Sequence, residues 1–126
     1  MHFIVNKNDR HRYIYFIVKS KNKQLYIEKS DFYNEIKQQC RKLFNKNCED
    51  MGLYLISFNG KKGIIKCNHI QKENTIKLLN SIKKVLLNEI EIRTIGTSGT
   101  IKTLTKKYIK NNHNQKLSKN TGLEKL

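Results

Sequence analysis

The pattern of apolar and polar positions divides most of the chain into alternating strands and helices. The stretch RYIYFIVK, residues 12–19, is rich in aromatic and β-branched residues and predicts a first strand. A helix is predicted across 31–45, with Ser30 as its expected N-cap. Its apolar stripe, at spacings of four, four and three, consists of Phe32, Ile36, Cys40 and Leu43. Such spacing places these side chains on one helix face, which predicts that they enter the core.

The middle of the chain predicts a hairpin followed by a second helix. LYLISF, residues 53–58, and GIIKC, residues 63–67, read as two strands. Because Asn59-Gly60 is a favoured hairpin turn, the two strands are expected to pair antiparallel. The second helix is predicted from about residue 71 to 86. Its stripe is formed by Ile76, Leu79, Ile82 and Leu86.

The C-terminal third predicts one strand, one helix and a tail. NEIEIRTI alternates in polarity and predicts a fourth strand. Its outward positions are Glu89, Glu91 and Arg93, and its inward positions are Ile90 and Ile92. A third helix, 99–111, is expected to bury Ile101, Leu104 and Tyr108. Residues 112–126 are polar and aperiodic, and they are expected to form a disordered tail.

The predicted order is β-α-β-β-α-β followed by a C-terminal helix. This order is typical of an α+β fold of the ferredoxin-like (RRM-like) type, a split βαβ sandwich, and we expect residues 1–111 to form one such domain. The fold does not fix the function. An RRM stacks bases on aromatic residues of its third strand, and KGIIKCNH supplies none there. Base stacking of that kind is therefore disfavoured.

The charge balance indicates a polyanionic partner. The chain has 126 residues, with 26 Lys and Arg against 10 Asp and Glu, a formal net charge of +16. Such a field favours nucleic acid or an anionic membrane. No apolar run approaches the roughly 20 residues of a membrane span, and MHFIV is too short for a signal peptide. We therefore expect a cytoplasmic protein without a membrane partner.

Catalytic and metal-binding patterns are not evident in the sequence. Cys40, Cys48 and Cys67 contain no CxxC pair, and together with His69 they match no zinc spacing. The cysteines are expected to be core residues. No Ser-His-Asp or Cys-His spacing argues for a nucleophile. The sequence thus predicts no catalytic residue and no metal site on the protein.

A small-residue hinge, Gly96-Thr97-Ser98-Gly99-Thr100, separates the fourth strand from the third helix. GTSGTIKT lacks the GxxxxGK[ST] pattern of a P-loop, and a KH-type GxxG lies between two helices rather than after a strand. With Ser98 or Thr97 as the expected cap, the free N–H groups of the first helical turn would form a generic anion site. The alternative is a capped helix with a solvated lysine face, and both interpretations stay open.

The segments IRTIGTSGTIKTLTKKYI, HRYIYFIV and NGKKGIIKCNH together resemble a known family. The first is similar to the C-terminal signature of the ribonuclease P protein component 2 family, the second to its first strand and the third to its central hairpin. The resemblance covers about residues 11–110. Lys66 stands where the family usually has arginine, so a bidentate contact there is not expected.

The resemblance implies a subunit of a ribonucleoprotein endonuclease that removes 5′ leaders from precursor tRNA. Catalysis would belong to the RNA, which uses Mg²⁺, while the protein would carry no cofactor and would neutralise RNA phosphates. The implied partners are the catalytic RNA, precursor tRNA in the assembled enzyme, the barrel subunit (ribonuclease P protein component 3) and a second copy of the chain. The expected RNA-binding residues are Arg93, Thr97, Ser98, Gly99, Thr100, Lys102, Lys106 and Lys107.

The first two strands carry apolar residues on both faces, so a partner is expected on the second face of the sheet. Tyr54 and Phe58 of the edge strand are the expected contact residues. Two other functions stay open: a ribosome-associated or other RNA-binding module without a nuclease role, and a small-molecule regulatory domain with the hinge as its anion pocket. The net charge disfavours the regulatory domain.

Overall fold

A computed structural model describes residues 10–21, 26–110, 121–122 and 124–125. The strands are β1 (His11–Ser20), β2 (Tyr54–Phe58), β3 (Lys62–Asn68), β4 (Lys84–Val85), β5 (Asn88–Ser98), β6 (Thr121–Gly122) and β7 (Glu124–Lys125). The helices are α1 (Lys29–Phe44), α2 (Lys72–Ser81) and α3 (Ile101–Leu104), and α3 continues as a π-helical turn, Thr105–Lys110. Two 3₁₀ turns, Cys48–Met51 and His69–Gln71, precede β2 and α2. The predicted tail, 112–126, lies outside the described residues except for β6 and β7, which pair with each other.

The main sheet has five strands in the order β2-β3-β1-β5-β4, and every neighbouring pair is antiparallel. The predicted hairpin of β2 and β3 is present. Gly60 has a positive φ of 94° at its turn, and Asn59 Oδ1 accepts hydrogen bonds from the N–H groups of Lys61 and Lys62. A mixed α/β fold with an antiparallel sheet is therefore confirmed.

The core lies between one face of the sheet and the helices α1 and α2. Phe16 of β1 and Phe32 of α1 are fully buried, and their ring centroids lie 5.5 Å apart. Phe58 of β2 stacks on Phe32 at 4.3 Å. The three cysteines are buried as expected, and Cys48 Sγ lies 4.0 Å from Cys40 Sγ. Burial of aromatic and aliphatic side chains, each worth about 1.5–3 kcal/mol, is the main stabilising contribution of this layer.

The first helix departs from its prediction at both ends. It begins at Lys29, so Ser30 lies inside the first turn, and the N-cap residue Glu28 makes no side-chain capping bond. The prediction of Ser30 as the cap is therefore wrong. At the other end Leu43 is 46% exposed, whereas Phe44 packs against the core. One further helical step rotates the side chain toward the sheet, so Phe44 takes the place predicted for Leu43.

The second helix ends at Ser81, five residues before its predicted end. The following residues form the unpredicted strand β4, in which Val85 pairs with Asn88 of β5. Ile82 and Val85 belong to this extended segment, and their side chains are buried in the core. Leu86 occupies the turn with a positive φ of 57° and is 66% exposed, so its predicted core position is wrong. The spacing of three residues between Ile82 and Val85 is compatible with a helix and also with this short hairpin. The hydrogen bonds between β4 and β5 favour the hairpin.

Candidate RNA-binding surface

The hinge belongs partly to the strand. Thr97 and Ser98 remain in β5, where they pair with Ile14 and Tyr13 of β1. The cap of α3 is Thr100, whose Oγ1 accepts a hydrogen bond from the N–H of Thr103 at 3.1 Å. The prediction that Ser98 or Thr97 caps this helix is therefore wrong, because the sheet already holds both residues in extended conformation. Ser98 Oγ instead accepts a weak hydrogen bond of 3.4 Å from the Thr100 N–H.

The basic residues predicted on the last helix are exposed. Lys102 lies in the single α-helical turn, whereas Lys106 and Lys107 lie in the π-helical turn. Hydrogen bonding from i to i+5 shifts residues around the helix axis relative to α-helical spacing. The π-helical turn therefore changes the angle between Lys102 and Lys106 around the helix axis from its α-helical value. All three lysines are exposed within the same ten-residue segment.

The last helix packs against the second face of the sheet, the face opposite to α1 and α2, and its contact is at Gly96. A Cβ atom on Gly96 would lie 2.5 Å from Tyr108 Cε2 and closer still to Cζ and Cε1, so the ring rests directly on the backbone of β5. Leu104 is fully buried, and Tyr15, which pairs with Gly96, is 7% exposed. Ile101 is 39% exposed, so the prediction that it is buried is wrong. The helix thus covers part of the second face, as expected for Leu104 and Tyr108.

Gly99 is exposed and uncrowded. A Cβ atom there would have only Arg12 Nη1 as a close neighbour, at 3.7 Å. Within the chain Gly99 therefore serves no close packing, and Gly96 has that role. The guanidinium of Arg12, which the sequence did not single out, adds a cation beside the hinge. Its position follows from the pairing of β1 with β5, which brings residue 12 opposite the hinge.

Arg12 and Lys72 both act on the buried thiol of Cys67. Burial raises the pKa of the Cys67 thiol, and a hydrogen bond with Thr75 together with the nearby charges of Arg12 and Lys72 opposes that shift. Arg12 and Lys72 therefore both lie within electrostatic range of one buried thiol.

One cross-strand row links the hinge to the opposite edge of the sheet. Ser98 of β5 pairs with Tyr13 of β1, Tyr13 pairs with Lys66 of β3, and Lys66 pairs with Tyr54 of β2. Directly paired residues project on the same face, so the four side chains share the second face. Arg93 is on this face as well, but it precedes Ser98 by five residues, a distance of about 16 Å along a strand. The structure therefore brings the hinge, but not Arg93, to this end of the sheet.

Tyr54 and Phe58, predicted to share an interface, lie on opposite faces of β2. A bulge between Leu55 and Ser57 interrupts the alternation of the strand. Tyr54 is 56% exposed on the second face, and Lys66 Nζ lies 5.2 Å from the centre of its ring. Phe58 belongs to the ring stack of the core, so the two side chains do not share one face of the strand, as strict alternation would require. The sequence could not reveal the bulge, which one added residue produces.

The described residues carry many cations and few compensating pairs. Within this part of the chain one ion pair is present, between Lys72 Nζ and Glu73 Oε2 at 3.7 Å. No acidic residue occurs between Glu91 and Glu124, the stretch that holds the hinge and the last helix. A surface of unpaired cations attracts a polyanion with salt-dependent affinity.

Metal-binding clusters and membrane-spanning helices do not occur among the described residues. His, Cys, Asp and Glu side chains form no cluster of three or more that could hold a metal ion in the part of the chain that the structure describes. No described helix combines the length and apolar character that a bilayer crossing needs.

The chain is similar to characterised proteins over most of its length. The model of the Rpp14/Pop5 family matches residues 12–109. Over 86 residues the chain is 26% identical to ribonuclease P protein component 2 of Methanosarcina barkeri, a match that covers 68% of this chain and 64% of that protein. Over 100 residues it is 28% identical to the protein of the same name from Archaeoglobus fulgidus, covering 79% of this chain and 89% of that protein. The chain thus spans less than two thirds of the first of these relatives.

A solved structure shares the fold. A chain in the cryo-EM structure of yeast ribonuclease MRP superposes with a TM-score of 0.62 at 10% identity, over 84% of this chain and 93% of that chain. At this identity the likeness concerns the fold alone. The resemblance inferred from the three sequence segments is confirmed by the family match, which includes the hinge and most of the last helix. The chain belongs to the Rpp14/Pop5 family.

Proposed function

We propose that this chain is a protein subunit of ribonuclease P, which supports the catalytic RNA in removing 5′ leaders from precursor tRNA. The observation that carries the proposal is the family match across residues 12–109, together with relatives named ribonuclease P protein component 2. The net charge of +16 supports the same conclusion, because a subunit of a ribonucleoprotein must neutralise phosphates.

The proposed role of the protein is to hold the RNA rather than to perform chemistry. The exposed lysines of the last helix, the hinge and Arg12 would contact phosphate oxygens, which position an RNA without reading its sequence. Mg²⁺ ions bound to the RNA would activate the attacking water, and the protein would bind no cofactor. Each neutralised phosphate stabilises the folded RNA by releasing counterions.

We infer that the fold is a variant of the ferredoxin-like split βαβ type. The position of β3 between β1 and β2, with β5 on the other side of β1, supports this inference. The β4–β5 hairpin would then be an addition to the usual four strands. Residues 1–111 would form this one domain.

The proposed partners are the catalytic RNA, precursor tRNA in the assembled enzyme, the barrel subunit and a second copy of the chain. Other exposed apolar residues of the described chain, among them Ile56 of the edge strand, support a protein partner. We propose the cytoplasm as the location, since the substrate of the assembled enzyme would be precursor tRNA.

Reconstitution tests the proposal. The chain is combined with the catalytic RNA, the barrel subunit and Mg²⁺, and cleavage of precursor tRNA is measured with and without the chain. We expect the chain to raise the cleavage rate at limiting Mg²⁺. If it binds the RNA but leaves cleavage unchanged, the other RNA-binding function, without a nuclease role, is favoured instead.

A further inference from the structure

A groove lies between the start of α1 and the edge strand β2. Its volume is about 570 Å³, which falls in the range of about 300–1,000 Å³ that is usual for small-ligand pockets. Its lining residues are Glu28, Lys29, Ser30, Tyr33, Tyr54 and Leu55. Two aromatic rings and one aliphatic side chain thus form apolar walls at a solvent-exposed edge of a highly basic protein.

The two tyrosines of the groove each lie next to a lysine. Lys37 Nζ is 5.2 Å from the centre of the Tyr33 ring, and Lys66 Nζ is 5.2 Å from the centre of the Tyr54 ring. Burial, followed by the electrostatic effect and the hydrogen bond of Cys48, raises the pKa of Tyr33. Aromatic rings beside cations are the combination with which proteins bind single-stranded nucleic acid.

Tyr33 also lines a second, smaller cavity. Its volume is about 230 Å³, and Lys37, Arg41 and Asn47 line it together with Cys48 and Glu49. Two cations and an amide provide donors that suit a phosphate group. Across both cavities, Glu28 and Glu49 are outnumbered by the surrounding lysines and arginine. Of the two cavities that share Tyr33, the groove is therefore suited to a base and the smaller cavity to a phosphate.

We propose that the groove binds the base of one unpaired nucleotide of RNA, stacked on Tyr54 and packed against Tyr33 and Leu55. The phosphates that flank this nucleotide contact Lys66 on one side and Lys37 on the other. This proposal deepens the RNA-binding function proposed above and rests on it. It differs from the base stacking of an RRM, because the aromatic residues belong to the edge strand and to α1 rather than to the central strands.

The position of the groove makes it continuous with the hinge. The row Tyr54, Lys66, Tyr13, Ser98 crosses three strand spacings, about 14 Å, from the groove to the hinge. A single strand of a few nucleotides could follow this row. Its base would lie in the groove, and later phosphates would reach the hinge and the guanidinium of Arg12.

An extended peptide fits the groove less well. A peptide that adds to a sheet edge requires an uninterrupted row of backbone hydrogen-bonding groups. The bulge between Leu55 and Ser57 interrupts that row at the middle of β2. The cations around the groove also favour an anionic occupant. RNA is therefore the occupant to which the geometry points.

The test compares single-stranded and duplex RNA with the full chain and three variants. The probes are a fluorescent oligouridine of about ten nucleotides, within the usual site sizes of about 4–16, and a duplex of similar phosphate number. Tyr54→Ala removes the stacking ring, and Tyr54→Phe retains it. Tyr26→Ala is the matched control, since Tyr26 is 65% exposed but does not line the groove. Each affinity is measured by anisotropy over a series of salt concentrations.

We expect Tyr54→Ala to bind oligouridine about 5- to 150-fold more weakly, the fold-change that corresponds to the loss of one base–aromatic stack. Duplex affinity and the salt slope for duplex RNA should stay unchanged, because the cations that meet the duplex phosphates remain. Tyr54→Phe and Tyr26→Ala should behave as the wild type does. Irradiation of a 4-thiouridine oligonucleotide should crosslink the peptides that contain Tyr33 or Tyr54.

Three results would overturn the proposal. Equal weakening of both RNAs by Tyr54→Ala would assign the effect to general electrostatics or folding. Unchanged RNA affinity with a changed sedimentation coefficient would assign the groove to a protein partner. Both outcomes leave the proposed ribonuclease P function intact, because the wild type still binds RNA. If the wild type binds neither RNA at low salt, the proposed function fails together with the groove.

Discussion

Substitution of Gly96 by alanine is expected to displace the last helix from the sheet. The new Cβ would lie 2.5 Å from Tyr108 Cε2, and the ring must retreat by about an ångström to reach the optimum of ~3.5 Å between carbon atoms. Overpacking of this kind costs about 1–3 kcal/mol. Tyr108 is half-buried, so outward rotation of its ring can relieve part of the clash at the expense of its packing.

A matched variant separates the clash from the general effect of replacing glycine. Any Gly→Ala change at a compatible position stabilises by about 0.4–1 kcal/mol through the unfolded chain. Gly99→Ala should show only this gain, since its nearest neighbour would be Arg12 Nη1 at 3.7 Å. The free energy of unfolding of Gly96→Ala should therefore lie about 1–3 kcal/mol below that of Gly99→Ala. At about 4 °C per kcal/mol, Tm should differ by roughly 4–12 °C.

Thermal and urea unfolding, followed by circular dichroism, measure this difference. A double-mutant cycle with Tyr108→Ala attributes it to the ring, because Gly96→Ala should cost little once the ring is absent. The reasoning would be refuted if Gly96→Ala and Gly99→Ala were equally stable. It would also be refuted if Gly96→Ala lowered the free energy of unfolding as much in the Tyr108→Ala background as in the wild type.

Three further predictions concern charge, packing and ionisation. The first variant replaces the exposed lysines of the last helix by alanine: Lys102, Lys106 and Lys107. When the logarithm of its RNA-binding constant is plotted against the logarithm of salt concentration, the slope should become shallower by about 0.7–0.9 for each phosphate that is no longer neutralised. An unchanged slope in a folded variant would contradict the proposed role of these lysines. Phe58→Ala should destabilise by about 2–4 kcal/mol through loss of the stack on Phe32, whereas Tyr54→Ala should cost less than about 0.5 kcal/mol in urea unfolding. Burial raises the pKa of Cys40 from 9.0 to about 12, so the free energy of unfolding should fall as pH rises between these values. Cys40→Ala should show a shallower fall, and an equal fall in both proteins would contradict this assignment.

The boundaries of the second helix illustrate a limit of periodicity. Ile82 fits the helical stripe of Leu79 and is buried as that stripe predicts, but its backbone is already extended. Pairing of Val85 with Asn88 then replaces further helical hydrogen bonds. The sequence thus predicted that Ile82 is buried. The extended backbone that buries it depends on the pairing of β4 with β5.

The edge strand illustrates a second limit. Strict alternation predicts that Tyr54 and Phe58 share a face, and a single bulged position between them reverses that relation. Side chains alternate with a period of two, so one inserted residue transfers the rest of the strand to the opposite face. The exposure of Tyr54 and the burial of Phe58 therefore depend on how β2 pairs with β3.

The sequence by itself determined the order of the main strands and helices, the hairpin at Asn59-Gly60, most of the core stripe of α1, the basic character and the family. These properties depend on local turn chemistry, short-range periodicity and composition, all of which a linear sequence contains. Only the tertiary structure decided that Gly96 rather than Gly99 is crowded, that Arg12 lies beside the hinge, and that one cross-strand row extends from Ser98 to the groove at Tyr54. Those properties depend on strand register and bulges, which are fixed by pairing between residues far apart in the chain.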